Sequence, residues 1–163
     1  MDATELPGPV GWEDPLTGLD GPDFWQRILV SEIARAHRYA RPLTVVVVEL
    51  LELEKLHATW GAEVVRQAVR EAAQCLKRTS RTSDYCCRLG PTRFGVVLTE
   101  TDEIAAINFV ERVRDAAPRA MPKGFDELTF SFGWASPKPG ESADRVVRRA
   151  DARLMVELSS EGA

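Results

Sequence analysis

The sequence has no surplus of basic residues and no long apolar run. Its 163 residues contain 21 lysines and arginines against 25 aspartates and glutamates, which gives a formal net charge of -4. A protein that neutralises many nucleic-acid phosphates needs a basic surface, so this balance argues against a general nucleic-acid partner. It leaves room only for a small local arginine site. Because no apolar stretch is long enough to cross a bilayer, we expect no membrane segment.

Cysteine and histidine are scarce, and their spacing does not suit a metal. Cys75, Cys86 and Cys87 have no ligand spacing with His37 or His57, and three is an odd number. In the predicted strand that holds them, Cys86 and Cys87 point to opposite faces. Buried free thiols in a reducing compartment are the simplest interpretation. The sequence predicts no resident metal.

What is present is the pattern of one globular domain with a sizeable core. The composition is 44% hydrophobic and 28% charged, which is ordinary for such a domain. Residues 1–13 are rich in proline, glycine and acids and are predicted to be a linker or tail, and the domain is predicted over residues 14–160. Apolar periodicity predicts helices over 24–40, 63–80, 102–117 and 142–158, a short helix or turn over 52–59, and strands over 44–51, 85–89, 94–98 and 128–135.

The stretch from residue 84 to residue 98 is typical of a β-hairpin. Two short apolar runs flank the sequence Gly90-Pro91-Thr92-Arg93. Gly90 can take a positive φ, and Pro91 presets its own φ for the turn. A turn at the tip of a hairpin is a natural place to hold a site over a sheet.

This hairpin resembles the signature turn of the diguanylate cyclases, the GGDEF domains. That family carries Gly-Gly-Asp/Glu-Glu-Phe, where Gly90, Pro91, Thr92, Arg93 and Phe94 stand here. The first glycine and the phenylalanine are kept, and both acids are absent. Other stretches match in family order and at family spacing: Asp14-Pro15-Leu16-Thr17-Gly18-Leu19, the apolar run 44–51, Trp60-Gly61, Arg81-x-x-Asp84, the strand 128–135 and Arg149-Ala150-Asp151.

The resemblance covers residues 14–160 and implies a fold and a cell compartment. The expected fold class is α+β, with a central, mostly antiparallel five-stranded sheet flanked by helices, related to the polymerase palm and to the nucleotide cyclases. The periodicities agree with helices packed on buried strands. A bacterial, cytoplasmic protein is expected from the resemblance alone.

The resemblance also implies a reaction, in which two GTP molecules are joined into cyclic di-GMP with the help of Mg²⁺. Glu49 stands where the family has a metal-binding aspartate, and His57 stands where its asparagine reads guanine. Thr92 is a weaker metal ligand than an acid, and Arg93 would repel a cation. From these positions we predict a degenerate domain that is not an enzyme, with no catalytic residue and no cofactor.

One functional pair of the family is kept. Arg81-x-x-Asp84 stands where GGDEF domains carry an inhibitory product site, in which the arginine grips phosphate and guanine and the aspartate accepts from a guanine edge. A second arginine often comes from the following helix, and Arg112 lies at about that place. Guanidinium is planar and matches both phosphate and base. The alternative is a surface salt bridge between Arg81 and Asp84, worth about 0–1 kcal/mol, with Arg78 and Arg88 as solvated charges.

Two functions remain open at this point. The first is an inactive GGDEF-like receptor that binds cyclic di-GMP through Arg81 and Asp84 and signals to a protein partner or an attached domain. The second is a protein-interaction module, including a homodimer, that keeps the fold and binds no nucleotide. GTP binding without turnover is disfavoured, because His57 and Ala58 replace the residues that read the base.

Overall fold

The computed structural model describes residues 6–161, in which five α-helices pack on the two faces of one sheet. The helices are α1 Pro22–Tyr39, α2 Leu53–Trp60, α3 Ala62–Thr79, α4 Glu103–Ala116 and α5 Ala143–Glu161, with a short 3₁₀ turn at Ala117–Arg119. The strands are β1 Leu43–Leu50, β2 Tyr85–Arg88, β3 Arg93–Thr99 and β4 Phe130–Ala135. All lie within three residues of the predicted bounds.

The strand β1 lies at the centre of the sheet and is buried on both faces. The strand order is β2-β3-β1-β4, and every neighbouring pair is antiparallel. Val45 and Val47 belong to one core cluster, and Val46 and Val48 belong to the other. Each of these valines is at most 1% exposed, and burying one stabilises the fold by about 1.5–3 kcal/mol. The predicted doubly buried strand is confirmed.

The sheet of the described residues has four strands, which corrects the predicted five. The expected fifth strand came from the family resemblance and not from a β-type run in this chain. After β4, the apolar residues Val146, Ala150 and Leu154 recur at helical spacing and are fully buried. This segment therefore forms α5, which packs on β4 and β1.

The two faces of the sheet carry different helices. The larger cluster joins the sheet to α2, α3 and α4, and the smaller one joins it to α1 and α5. Two glycines allow close approach on the smaller side. A Cβ on Gly95 would lie 2.6 Å from the Trp25 ring of α1, and one on Gly133 would lie 2.0 Å from the Ala150 carbonyl oxygen of α5. The second contact brings α5 against β4 at Gly133, which is the partner of Val47 in the β1–β4 ladder.

Helix α1 begins at Pro22. The φ of proline suits the first helical position, and Gly21 is the residue before the helix. Asp23 lies in the first turn, where its charge complements the helix dipole.

The predicted tail, residues 1–13, is only partly within the described residues. Residues 1–5 lie outside them, and the division between tail and domain stays a prediction. Leu6 is 2% exposed and belongs to the larger core cluster. None of the helices in the described range is long and apolar enough to cross a bilayer.

Candidate functional site

The tip of the hairpin between β2 and β3 is closed by one carbonyl. The oxygen of Arg93 accepts from the N–H groups of Leu89, at 2.8 Å, and Gly90, at 3.2 Å. Gly90 does not use the positive φ that is open to glycine, and this pair of hydrogen bonds closes the turn. Pro91 is exposed at the tip, and Phe94 is fully buried beneath it.

The charged groups of the tip are paired with one another. Glu49 lies opposite Arg93 in the β1–β3 ladder. The Thr92 hydroxyl donates to Oε1 of Glu49, and Nε of Arg93 donates to Oε2 at 3.3 Å. Nη1 of Arg93 donates to Oδ1 of Asp151 in α5, at 3.1 Å. The guanidinium therefore lies between two carboxylates, which ties the hairpin to both β1 and α5.

These residues do not fit the magnesium ion that the family implies. Mg²⁺ requires near-octahedral oxygen ligands, and both oxygens of Glu49 already accept hydrogen bonds from Thr92 and Arg93. A positive guanidinium lies in the same place. Throughout the part of the chain that the structure describes, no three His, Cys, Asp or Glu side chains are grouped to hold a metal.

A buried ion pair lies behind the tip. Nη1 of Arg88 is 3.1 Å from Oδ1 of Asp14, and Nη2 donates to the carbonyls of Pro7 and Pro91, each at 2.9 Å. Arg88 and Asp14 are each 1% exposed. Burial lowers the pKa of the Arg88 guanidinium, and Asp14 opposes that effect.

Arg88 is therefore not the solvated charge considered from the sequence. The signals that could have identified it were its place at the end of an apolar strand and the acid at the start of the Asp14 motif. His57, at the position of the family's base reader, lies half-buried in α2.

A separate cavity of about 370 Å³ lies where α3 ends and β2 begins. It contains two cationic and two acidic side chains in one small space. Its lining is Gly18, Leu19, Asp20, Lys77, Ser80, Arg81, Thr82, Asp84, Tyr85 and Cys86. The structure thus brings together Arg81 and Asp84, and it adds Lys77 and Asp20, which sequence reasoning did not single out.

Asp84 is fixed by backbone groups. Its Oδ2 accepts from the Arg81 N–H at 2.8 Å, and its Oδ1 accepts from the Thr99 N–H at 3.1 Å. Each carboxylate oxygen can accept more than one hydrogen bond, so both keep acceptor capacity. Among the described residues, the exposed Arg81 side chain forms no hydrogen bond or ion pair, so the surface salt bridge with Asp84 that the sequence offered as an alternative is not formed.

Arg112 is not part of this cavity. It is an exposed residue of α4, and that helix packs on α3, β4 and β1. The cavity lining does not include it. A role of Arg112 beside Arg81 and Asp84 stays a prediction.

Partial burial shapes the electrostatics of the cavity. Burial raises the pKa of Asp20, with Lys77 opposing the rise and Glu13 adding to it. Burial also raises the pKa of the Cys86 thiol to about 11, against the opposing effects of the Ser80 hydroxyl and the Lys77 charge. The cavity therefore presents a neutral thiol at neutral pH beside its charged groups.

Comparison with known families decides the relationship. The family model described as "Diguanylate cyclase, GGDEF domain" matches residues 12–162. The chain belongs to the GGDEF family. The predicted family is confirmed, and so is the predicted antiparallel sheet flanked by helices.

The chain is similar to curated and structurally characterised GGDEF proteins. It is 29% identical over 147 residues to the diguanylate cyclase DosC of Escherichia coli, covering 88% of this chain and 32% of DosC. The chain thus spans about a third of the length of that relative. The GGDEF domain of DgcB from Caulobacter crescentus in complex with c-di-GMP superposes with a TM-score of 0.85 at 23% identity, covering 92% and 89% of the two chains.

A third relative is the diguanylate cyclase SiaD of Pseudomonas aeruginosa, solved in complex with its activator SiaC. The TM-score is 0.84 at 28% identity, with 96% of this chain and 60% of SiaD covered. These relatives correct one expectation. The prediction that the chain is not an enzyme is wrong on this comparison, because DosC and SiaD are both named as diguanylate cyclases. The hydrogen bonds that Thr92 and Arg93 donate to Glu49 are a structural feature of the hairpin tip.

Proposed function

We propose that this GGDEF domain acts in cyclic di-GMP signalling by binding cyclic di-GMP at the cavity of Arg81 and Asp84. The observation that carries the proposal is the difference between these two side chains. Asp84 is held in place by two backbone N–H groups, whereas the exposed Arg81 guanidinium has no hydrogen-bonding or ion-pair partner among the described residues. A fixed acceptor beside an available guanidinium suits a ligand with both donor and anionic groups.

The chemistry of the ligand matches these groups. Each guanine edge of cyclic di-GMP offers N–H donors that a carboxylate can accept, and each phosphodiester is an anion that a guanidinium binds in a planar fork. Guanidinium also stacks on bases. The cavity volume, about 370 Å³, lies at the lower end of the roughly 300–1,000 Å³ typical of small-ligand sites. It therefore suits one guanine and its phosphate, with the rest of the ligand on the surface.

We also propose that binding is passed on to a protein partner or to an attached domain. The chain spans about a third of DosC, and SiaD binds the activator protein SiaC. Helix α4 exposes 74% of Ile104 and 40% of Ile107, and exposed apolar residues close together favour a protein contact. A homodimer and a cytoplasmic location stay predictions.

Calorimetric titration of cyclic di-GMP tests the binding site. The variants are Arg81→Ala and, as a matched control, Arg78→Ala, which removes an exposed arginine of the same helix end that does not line the cavity. A hydrogen bond to a charged group contributes about 1.5–3 kcal/mol, so Arg81→Ala should weaken binding by about 10- to 100-fold. Arg78→Ala should bind as the wild type does.

The same titration defines what would overturn the proposal. No heat from the wild-type chain, or equal affinity in Arg81→Ala, would do so and would favour the interaction module instead. The protein is first freed of bound nucleotide. In a separate experiment the chain is incubated with GTP and Mg²⁺, and the products are separated by chromatography. This detects any cyclic di-GMP that the chain itself produces.

A further inference from the structure

The strand β4 forms an open edge of the sheet. The strand order is β2-β3-β1-β4, so within the described residues β4 pairs with β1 on one side and with no strand on the other. The unpaired N–H and C=O groups of an edge strand can pair with a strand of another chain, and proteins usually protect them. The groups that cover the outer side of β4 therefore decide whether this edge can associate.

One ion pair covers the middle of this edge. The Phe132 N–H points away from β1 and donates to Oε2 of Glu157 in α5, at 2.7 Å. Nη2 of Arg114 in α4 donates to the other oxygen of that carboxylate, and Nη1 of Arg114 lies 3.5 Å from the Phe130 carbonyl oxygen. The guanidinium also lies over the Phe132 ring, 4.9 Å from its centroid. The two side chains thus take the place that a neighbouring strand would have.

The next outward residue of β4 has no such cover. In an antiparallel pair, alternate residues direct their backbone groups to the same side, so the Trp134 backbone faces outward like that of Phe132. Among the described residues, no side chain or loop forms a hydrogen bond with the Trp134 backbone, and its buried indole Nε1 has no partner either. Arg153 stacks on the indole ring, 4.8 Å from its centroid, and donates to Glu103. The edge is therefore covered at Phe132 and open at Trp134.

An exposed apolar side chain lies beside this edge. Glu103, Ile107 and Arg114 recur at helical spacing on α4, and the two charged residues reach across to side chains of α5. Ile107 therefore lies on the same flank of α4, and it is 40% exposed. An apolar side chain beside unpaired backbone groups suits an extended protein strand rather than a small polar ligand.

We propose that the edge of β4 is a pairing surface for β4 of a second copy of this chain, and that the ion pair of Arg114 and Glu157 keeps it closed. Antiparallel pairing centred on Phe132 sets Phe130 of each copy opposite Trp134 of the other, so that aromatic side chains meet on one face. The strand is thus complementary to itself, as a two-fold contact requires. The side chains of Arg114 and Glu157 are 35% and 24% exposed, so both can turn into solvent when the edge opens. This inference does not depend on cyclic di-GMP binding.

Sedimentation velocity over a series of protein concentrations tests whether the ion pair closes the edge. In Glu157→Ala the charged hydrogen bond to the Phe132 N–H no longer competes with pairing, so the Kd of self-association should fall about 10- to 100-fold. Glu157→Gln keeps an acceptor but loses the ion pair, and it should show a smaller fall. The control Glu111→Ala removes an exposed acid of α4 that forms no hydrogen bond or ion pair among the described residues. This control should sediment as the wild type does.

Amide hydrogen exchange then identifies the surface that associates. In concentrated Glu157→Ala the Trp134 N–H should exchange about tenfold more slowly than in the dilute monomer. The Thr99 N–H, which already donates to Asp84, should not change. Association no tighter in Glu157→Ala than in the wild type would overturn the proposal, and so would association that leaves the exchange of Trp134 unchanged. Thermal melting shows whether each variant is folded, and Arg114→Leu replaces Glu157→Ala if that variant is not.

Discussion

Two charged regions lie at opposite ends of strand β2, and their charges meet different partners. At the hairpin end, Arg88 is paired with Asp14, and Arg93 lies between Glu49 and Asp151. At the other end, Arg81 stands beside a fixed Asp84 without an ion-pair partner among the described residues. The comparison teaches that the arginines of the hairpin end are held by ion pairs within the fold, whereas the arginine of the cavity is not.

Burial explains the difference in physical terms. Arg88 is 1% exposed, and a buried charge without a partner is costly, so its pairing with Asp14 is a condition of the fold. Arg81 is exposed, and water solvates its charge whether or not a partner is present. The interactions of Arg81 therefore contribute little to the stability of the fold.

The largest expected effect is on the buried pair. Arg88→Met keeps an unbranched side chain but leaves Asp14 as a buried charge without a guanidinium, and removing one partner of a buried pair costs about 3–5 kcal/mol. The free energy of unfolding from urea titration measures this. The matched variant Arg81→Met, at the exposed end, should change it by no more than about 0.5 kcal/mol. Equal losses in the two variants would break the comparison.

The second prediction concerns the reactivity of the cavity thiol. Burial raises the pKa of Cys86 from 9.0 to about 11, so at pH 8 the thiolate fraction falls from about a tenth to about a thousandth, and labelling should be about 100-fold slower than for a free thiol. The rate should rise with pH up to about 11, because the thiolate is the reactive form. Labelling kinetics with an aromatic disulfide reagent measure this.

The control for that measurement is Cys86→Ser, which leaves the buried thiols of Cys75 and Cys87. The labelling phase assigned to Cys86 should be absent in this variant. Because Cys86 lines the cavity, cyclic di-GMP should slow labelling further. Fast labelling at pH 8 would mean that the thiol is not held in the protonated form that the structure indicates.

The third and smallest effect is expected at the half-buried tip. Arg93→Ala removes contacts to Glu49 and Asp151 from a side chain that is 33% exposed, so solvent screening limits the loss to about 1 kcal/mol. For a domain of this size that is a fall in Tm of about 2–4 °C. Scanning calorimetry measures it. A rise in Tm would contradict this, because it would show that the contacts of Arg93 with β1 and α5 do not stabilise the fold.

The sequence predicted the elements well because each carries its own periodicity. The run from Thr44 to Val48 has the β-branched pattern of a doubly buried strand, and the Gly90-Pro91 sequence marked the hairpin. The resemblance led correctly to the family. It misled on the number of strands, because no β-type run of this chain supplied the fifth strand. The prediction on activity was wrong because it rested on the missing acids of the hairpin alone, whereas the relatives are named as diguanylate cyclases.

The sites were harder to predict, because charge pairing depends on contacts between distant positions. Arg88 and Asp14 are 74 residues apart, and Arg93 and Asp151 are 58 apart. The place of Arg88 at the end of an apolar strand separates it from the exposed Arg81, but the sequence does not show which acid pairs with it. Lys77 was missed for the same reason, since a lysine in the last turn of a helix is ordinary in sequence and only the fold places it in the lining of the cavity.

The most direct test is a pair of melting curves, with and without saturating cyclic di-GMP, for Arg93→Ala and Arg81→Ala. Ligand at 100 times its Kd stabilises by about 2.7 kcal/mol. The account predicts that Arg93→Ala starts at a lower Tm and keeps the rise of the wild type with ligand. Arg81→Ala should start at the wild-type Tm and lose that rise. The reverse pattern, or no rise in any chain, would contradict it.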